Sequence, residues 1–546
     1  MQLKANFVDV RNGRIYPALI NFGERINSVE KVDEKFCSYI IPGLIESHVH
    51  IESSMLTPSR FAHVAVAHGT TAVVADPHEI ANVLGMEGIN FMRDDAGKTP
   101  LKMFFTAPSC VPATGFETSG ASLDAGKINQ LLQEKDVVAL GEMMNFPGVI
   151  QKDPEVMKKI KLAKKHGKPV DGHCPGLTGE KLEKYIEAGI TTEHECTTLA
   201  EAEEKLKKGM KIMIREGSSA KNMKEVYSLA KKNPEKCFIV SDDIHADDLL
   251  KGHMNLKLKK IVSLGIDPID AIRMSTTNPA NHYNLEVGLL SPGDPADFIV
   301  VNNLKDFDVL ETYINGKLVA RNSKTLFQLP EVKILNSFDV EKKNSGDLKV
   351  NSKKEAGTEK VNVIGIVENQ VITEKLTEML RVENFEVLPD SGKDILRIVV
   401  AERYGQNNIT LGFIRGFGLK EGAVASSVAH DSHNIVAIGL DKKDVAKAIN
   451  TVIEMRGGIN VVNKGQVLVK LPLPIAGLMN DKPAKENAEK LDRFNNILKE
   501  LGCKLNSPLM ILSFMSLPVI PEIKITDRGL FDVEKFGFID LIGKEN

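Results

Sequence analysis

The sequence predicts an α/β protein. A (β/α)8, TIM-like barrel forms its centre, a small β-sandwich domain is built from both flanks of that barrel, and an additional α/β domain lies at the C-terminus. Three observations predict this. Between about residues 41 and 283, short apolar runs alternate with amphipathic stretches in the rhythm of a parallel sheet with crossover helices. On either side of that region the pattern reverts to strands and tight turns. Beyond 361 the chain is long enough for a further core and alternates again.

Residues 1–40 open with strands around Phe7-Val8 and Tyr16–Ile20, separated by the turn signal Asn12-Gly13. The barrel strands are expected at 41–45, 71–75, 102–106, 137–140, 169–171, 190–193, 211–214 and 237–241. Helical stretches such as 153–166 and 199–208 lie between them, with Lys and Glu on the face turned to water. A doubly wound open sheet fits the same alternation. Residues 284–335 return to strands, with Asn315-Gly316 as a turn, and with 1–40 make the small β domain. Residues 336–360 are polar and charged and read as a linker or solvated hairpin, and 361–546 form the C-terminal domain.

At 546 residues the chain exceeds one core. Its 42% hydrophobic and 26% charged residues are ordinary for a water-soluble protein. A net charge of −3 argues against nucleic acid or an anionic membrane as partner. No apolar run reaches the roughly 20 residues of a membrane span, and the start, Met1-Gln2-Leu3-Lys4, lacks a secretory layout. Six scattered cysteines without a C-x-x-C pair are neither a disulfide framework nor a zinc ribbon, so a reducing cytoplasm is expected.

Barrels of this kind carry their chemistry at the C-terminal strand ends. The first apolar run ends in His48-Val49-His50, whose two imidazoles share one face because strand side chains alternate. Glu142 follows the fourth strand, His173 the fifth, His194 the sixth, and Asp242 and Asp243 the eighth. Each alone could be a buried hydrogen-bonding group. Together they predict a metal centre, with His48, His50 and Asp242 on one ion, His173 and His194 on a second, and the two oxygens of Glu142 between them. Two ions about 3.5–4 Å apart lower the pKa of water toward neutral. Ligation by His and carboxylate without thiolate suits Zn, Mn or Fe. His78 and Glu79 follow Pro77 and can equally cap the next helix, and Asp243 can cap a helix starting near Ala246. For His430 and His433 a second metal site, a lid or substrate contact, and plain structure stay open.

The Pro42–His50 entry, the strand-end histidines, Asp242 and the returning segment from Gly288 to Val300 resemble the amidohydrolase superfamily. Many binuclear members bridge their metals with a carboxylated lysine. Gly141-Glu142-Met143-Met144-Asn145 offers a glutamate there, which points away from urease-like and hydantoinase-like members. More narrowly, Ala75-Asp76-Pro77-His78-Glu79-Ile80, Pro108-Ser109-Cys110-Val111-Pro112, Asp171-Gly172-His173-Cys174-Pro175-Gly176 and Ser427-Val428-Ala429-His430-Asp431-Ser432-His433-Asn434 are similar to the bacterial and archaeal adenine deaminases. That resemblance implies hydrolysis of adenine to hypoxanthine and ammonia with two divalent ions, manganese or iron first and zinc after them. Asp242 would then move the proton of the attacking water, Glu79 or Asp243 would serve N1 or another ring nitrogen, and His78, Ser109, His430 and His433 would contact the base. A homo-oligomer, a dimer, is the expected assembly.

The nearest rival is a deacetylase of an N-acetyl sugar phosphate, which also places a glutamate before the His pair. The Asp242-Asp243 pair and the long C-terminal domain favour the purine enzyme. Cytidine-deaminase-type zinc sites need P-C-x-x-C, which the chain lacks. A non-catalytic scaffold on the same barrel should have lost ligands, and all six are present.

Overall fold

The computed structural model describes residues 1–367 and 370–543. It divides into two compact units. The first comprises Met1–Pro77, Asn90–Ser109 and Leu123–Val332, the second His78–Ile89, Cys110–Ser122 and Lys333–Asn546.

The first unit contains the barrel. Its strands are Leu44–His50, Thr70–Ala75, Lys102–Ala107, Val137–Met143, Val170–Gly172, Thr192–Glu193, Lys211–Arg215 and Cys237–Val240, the last resuming after Ser241 as Asp242–Asp243. Neighbours pair in parallel from first to fifth and from sixth to eighth, and the bridge Val170↔Ile190 joins the two runs. The kinked eighth strand closes the ring, because Cys237–Val240 pairs with the seventh strand and Asp242–Asp243 with the first. Closure rules out the doubly wound alternative. All seven residues of Leu44–His50 are buried, as expected for a parallel strand covered on both faces.

The first barrel strand starts at Leu44 rather than 41, because Tyr39–Pro42 belongs to the small sheet. Gly43 makes the transfer: a Cβ there would sit 2.1 Å from Thr71 Oγ1. The helix Pro154–Lys165 shows how the outer layer is held. Asp153 caps it by accepting from the N–H groups of Glu155 and Val156, and Val156, Ile160 and Ala163 form its buried stripe. Each large apolar side chain so buried contributes about 1.5–3 kcal/mol, and loss of such a cap costs about 1 kcal/mol.

The small domain, expected as a β-sandwich built from both flanks, hydrogen-bonds into one continuous eight-stranded sheet. It is built from Gln2–Asp9, Arg14–Phe22, Ile26–Lys31 and Tyr39–Pro42 with Phe298–Val301, Val309–Ile314, Lys317–Arg321 and Lys324–Thr325. Phe22, Phe298 and Tyr313 pack its face, with ring centroids 4.6–5.5 Å apart. Asn315 and Gly316, at φ 46° and 72°, supply the two left-handed residues that a tight hairpin turn requires.

The second unit is dominated by a nine-stranded, mostly antiparallel sheet with one parallel pair, Ala356–Ile366 beside Ile409–Arg415. Helix Lys442–Met455 covers it through Val445, Ile449 and Val452. The strand Ala356–Ile366 runs across the boundary expected at 360, where a linker was to end. Its apolar residues Val361, Val363 and Ile364 pair with Thr373–Glu383 and outweigh the polar composition before them. Residues 78–89 and 110–122 also belong to this unit, which no composition shift announces. Among the described residues no helix is long and apolar enough to cross a membrane.

Candidate metal centre

Four imidazoles converge inside the first unit with three carboxylates, those of Glu142, Asp242 and Glu195, and all seven residues are buried. His48 and His50 are carried on the first strand itself, and Glu142 on the fourth. His48 Nε2 and His50 Nε2 lie 3.3 and 3.0 Å from Asp242 Oδ1, and His50 Nε2 lies 3.1 Å from Glu142 Oε1. On the other side His173 Nδ1 and His194 Nε2 lie 2.8 and 3.2 Å from Glu142 Oε2. The carboxylate of Glu142 therefore divides its oxygens between two donor sets.

Two observations show that these residues fit metal ions. His50 Nδ1 is 3.0 Å from the carbonyl oxygen of Asp76, which can only accept, so Nδ1 carries the ring proton. The lone pair on Nε2 then faces two carboxylate oxygens, an arrangement that a cation reconciles. His48 Nε2 has no hydrogen-bond partner although it is buried and points into the cluster. Donor separations of 3.0–3.3 Å also match the edges of a coordination polyhedron with bonds of about 2.0–2.2 Å.

The surroundings hold the donors in place. Asp76 Oδ2 accepts the N–H of Glu142 at 3.0 Å, and a Cβ at Gly141 would strike that oxygen at 2.3 Å, so glycine is required there. Glu46, which the sequence reading passed over, accepts the N–H groups of His48 and Ser241 at 3.2 and 3.1 Å and so joins the first strand to the eighth. Asp242 sits just past the strand kink with φ 60°, a left-handed conformation that costs a non-glycine residue about 1–3 kcal/mol. Burial alone would raise its carboxyl. Arg215 and His194 outweigh burial and hold it well below the usual range. Glu142 is likewise held ionised against burial, chiefly by His173.

Arg215 and Glu195 were also missed. Arg215 ends the seventh strand, buried, and pairs with both oxygens of Glu195 and with Asp242 Oδ2, the last at 2.6 Å. The signal is in the sequence, since Arg215 is the basic residue that ends the seventh strand. Cys174 turns to Glu193, with Sγ 2.7 Å from Oε2.

The remaining expected residues sort differently. Ser109 donates to the backbone oxygen of Glu142 at 2.5 Å and Lys159 Nζ donates to Ser109 O at 2.9 Å, so Ser109 supports the fourth strand. Asp243 Oδ1 accepts from Ser53 Oγ at 2.5 Å, and the cap of helix Ala246–Lys251 is His245, so Asp243 does not cap it. His78 and Glu79 open helix His78–Ala96 without a side-chain cap. In the second unit Glu79 is gripped by His430 Nδ1 on Oε1 and His433 Nε2 on Oε2, with His78 Nε2 3.3 Å away. Burial would raise its carboxyl, but the three imidazoles hold it well below the ordinary range. An ionised carboxylate accepts, which does not favour Glu79 as the acid at N1.

A parallel β/α barrel with such a strand-end cluster defines the class of metal-dependent hydrolases. Residues 39–319 match the amidohydrolase family, and residues 370–537 match the adenine deaminase C-terminal domain. The chain is 47% identical to an adenine deaminase of Methanosphaera stadtmanae over 100% of both chains. It is 48% identical to that of Methanosarcina barkeri over 95% of both, and 44% identical to that of Borreliella burgdorferi over 99% of both. The chain belongs to the adenine deaminase family of the amidohydrolases.

Proposed function

We propose that this chain hydrolyses adenine to hypoxanthine and ammonia, with His48, His50 and Asp242 holding one divalent ion, His173 and His194 the other, and Glu142 shared. The observation that carries the two-ion reading is the division of the Glu142 oxygens between two imidazole pairs. The names of the full-length relatives carry the substrate. Manganese or iron is the proposed metal and zinc the third choice, an order that rests on the family resemblance, since nitrogen and oxygen donors without thiolate suit all three. Such ions supply Lewis acidity and bring the pKa of water toward neutral.

The protein's own groups do the rest. Asp242, ionised at the rim, accepts the proton of the water that attacks C6 and passes it to the departing amine. Asp243 serves the ring nitrogen, now that Glu79 is held as an acceptor. Among the described residues the six cysteines form no disulfide, which fits a reducing compartment.

The test is a direct assay. Manganese-loaded protein should release ammonia and hypoxanthine from adenine and leave N-acetylglucosamine 6-phosphate intact. No turnover of adenine, or deacetylation of the sugar phosphate, would overturn the reading.

A further inference from the structure

The two donor sets are unequal if only the six expected residues are counted. The first has two imidazoles, the terminal carboxylate of Asp242 and one oxygen of Glu142. The second has two imidazoles and the other oxygen of Glu142. The missing counterpart is present. Glu195 Oε1 lies 3.4 Å from His194 Nε2 and 3.7 Å from His173 Nδ1, the two nitrogens that face Glu142 Oε2. His173, His194 and Glu195 bring their donor atoms within 4.8 Å of one another, all buried.

Charge supports the same assignment. Glu142, Asp242 and Glu195 are three buried carboxylates, and Arg215 is the cation that pairs with two of them. With the imidazoles neutral, as metal donors must be, one guanidinium leaves net negative charge on three buried carboxylates, which entering cations offset. Arg215 does not exhaust Glu195, because each carboxylate oxygen has two acceptor sites and the guanidinium fork takes one on each. One NH1 group serves both Glu195 Oε1 and Asp242 Oδ2. The planar fork thus fixes the terminal carboxylate of one set relative to that of the other.

We propose that Glu195 is a seventh donor of the centre, the terminal carboxylate of the second set, and that Arg215 is the positioning residue that locks it to Asp242. This rests on the two-ion reading but not on the identity of the substrate.

The experiment is metal titration of the full chain with manganese against a competing chelator, read by elemental analysis and by the electron paramagnetic resonance of the bound ions. Wild-type protein should bind two ions. Glu195→Gln should keep one at near wild-type affinity and bind the second about 10–100-fold more weakly. Glu195→Asp, which retains the charge beside Arg215 but withdraws the oxygens, should show the same selective loss with an unchanged circular dichroism spectrum. Arg215→Lys, whose ammonium cannot span both carboxylates, should weaken the second ion about 10-fold, and in Arg215→Ala added guanidinium should restore part of that affinity. Two ions bound at wild-type affinity by both Glu195 variants would overturn the assignment. Failure of guanidinium to restore binding would overturn the role of Arg215. Uptake of fewer than two ions by the wild-type protein would instead sink the two-ion reading beneath it.

Discussion

In the barrel unit the imidazoles of His48, His50, His173 and His194 meet Glu142, Asp242 and Glu195. In the second unit the imidazoles of His78, His430 and His433 surround Glu79. The residue types are the same, and the other ring nitrogen tells the clusters apart. His50 Nδ1 faces a carbonyl and must hold the proton, so Nε2 offers a lone pair to carboxylates. His433 Nδ1 accepts the N–H of Ala429 at 3.2 Å, so its proton sits on Nε2 and is donated to Glu79. Protons on imidazole pair Glu79 in the second cluster, whereas the first presents the donor geometry proposed for cations. The partner of the remote nitrogen thus separates His50 from His433.

The strongest way to break this contrast is to neutralise each central carboxylate. Glu142→Gln should weaken both ions and lower turnover of adenine by about 10³-fold or more, since one carboxylate serves both sets. Glu79→Gln should leave the metal content unchanged. Two tightly held ions in Glu142→Gln, or metal loss in Glu79→Gln, would reverse the assignment. Next in size, Asp242→Asn should retain part of the metal yet lose about 10²–10⁴-fold in turnover. Metal analysis beside the ammonia assay distinguishes it from Glu142→Gln.

Stability sharpens the comparison further. Manganese at about 100 times its Kd should stabilise the wild-type protein by about 2.7 kcal/mol, and His48→Ala should lose most of that gain. His433→Ala should keep the gain but be about 2–4 kcal/mol less stable in chelator, because it leaves the buried Glu79 carboxylate short of a donor. Thermal unfolding with and without manganese reads both. A His433→Ala protein that no longer responds to metal would join the two clusters into one system.

All eight barrel strands were legible in the sequence because each is a short apolar run between turn signals, and the six strand-end donors followed from strand order alone. Glu195 and Arg215 were not legible for a specific reason. Glu195 is adjacent to His194, and strand alternation argues that neighbours point apart. The chain leaves the strand at Glu193, so alternation no longer holds and both side chains turn to one place. Glu79 was legible as a residue but its surroundings were not, since they include two histidines about 350 positions away. The small domain was legible as two flanking sets of strands, and the pairing of Tyr39–Pro42 with Phe298–Val301 that joins them is a long-range fact. The membership of 78–89 and 110–122 in the second unit is a long-range fact with no local signature.

The smallest expected effect is in acid. His78, His430 and His433 face Glu79, and Glu117, whose carboxyl burial and Asp431 push up to about 8, is neutral nearby on Ser432. Glu79 has a folded value below its unfolded value of about 4.3. Its contribution is therefore complete above that pH and is lost as pH falls through the folded value. His433 is lowered mainly by burial, so its neutral form likewise contributes above about pH 6.5 and fails below it. Both terms act on the acid limb. Glu79→Gln removes the first and, by removing the anion that raises His433, also alters the second. The diagnostic window therefore lies around and below the unfolded value of Glu79: the stability gap between wild type and variant in chelator should close by roughly 1–2 kcal/mol between about pH 5 and about pH 3. Urea unfolding across that range measures it. A gap that stays constant to pH 3 would mean that Glu79 is not held as an anion, and the distinction between a proton-completed and a metal-completed cluster would fall with it.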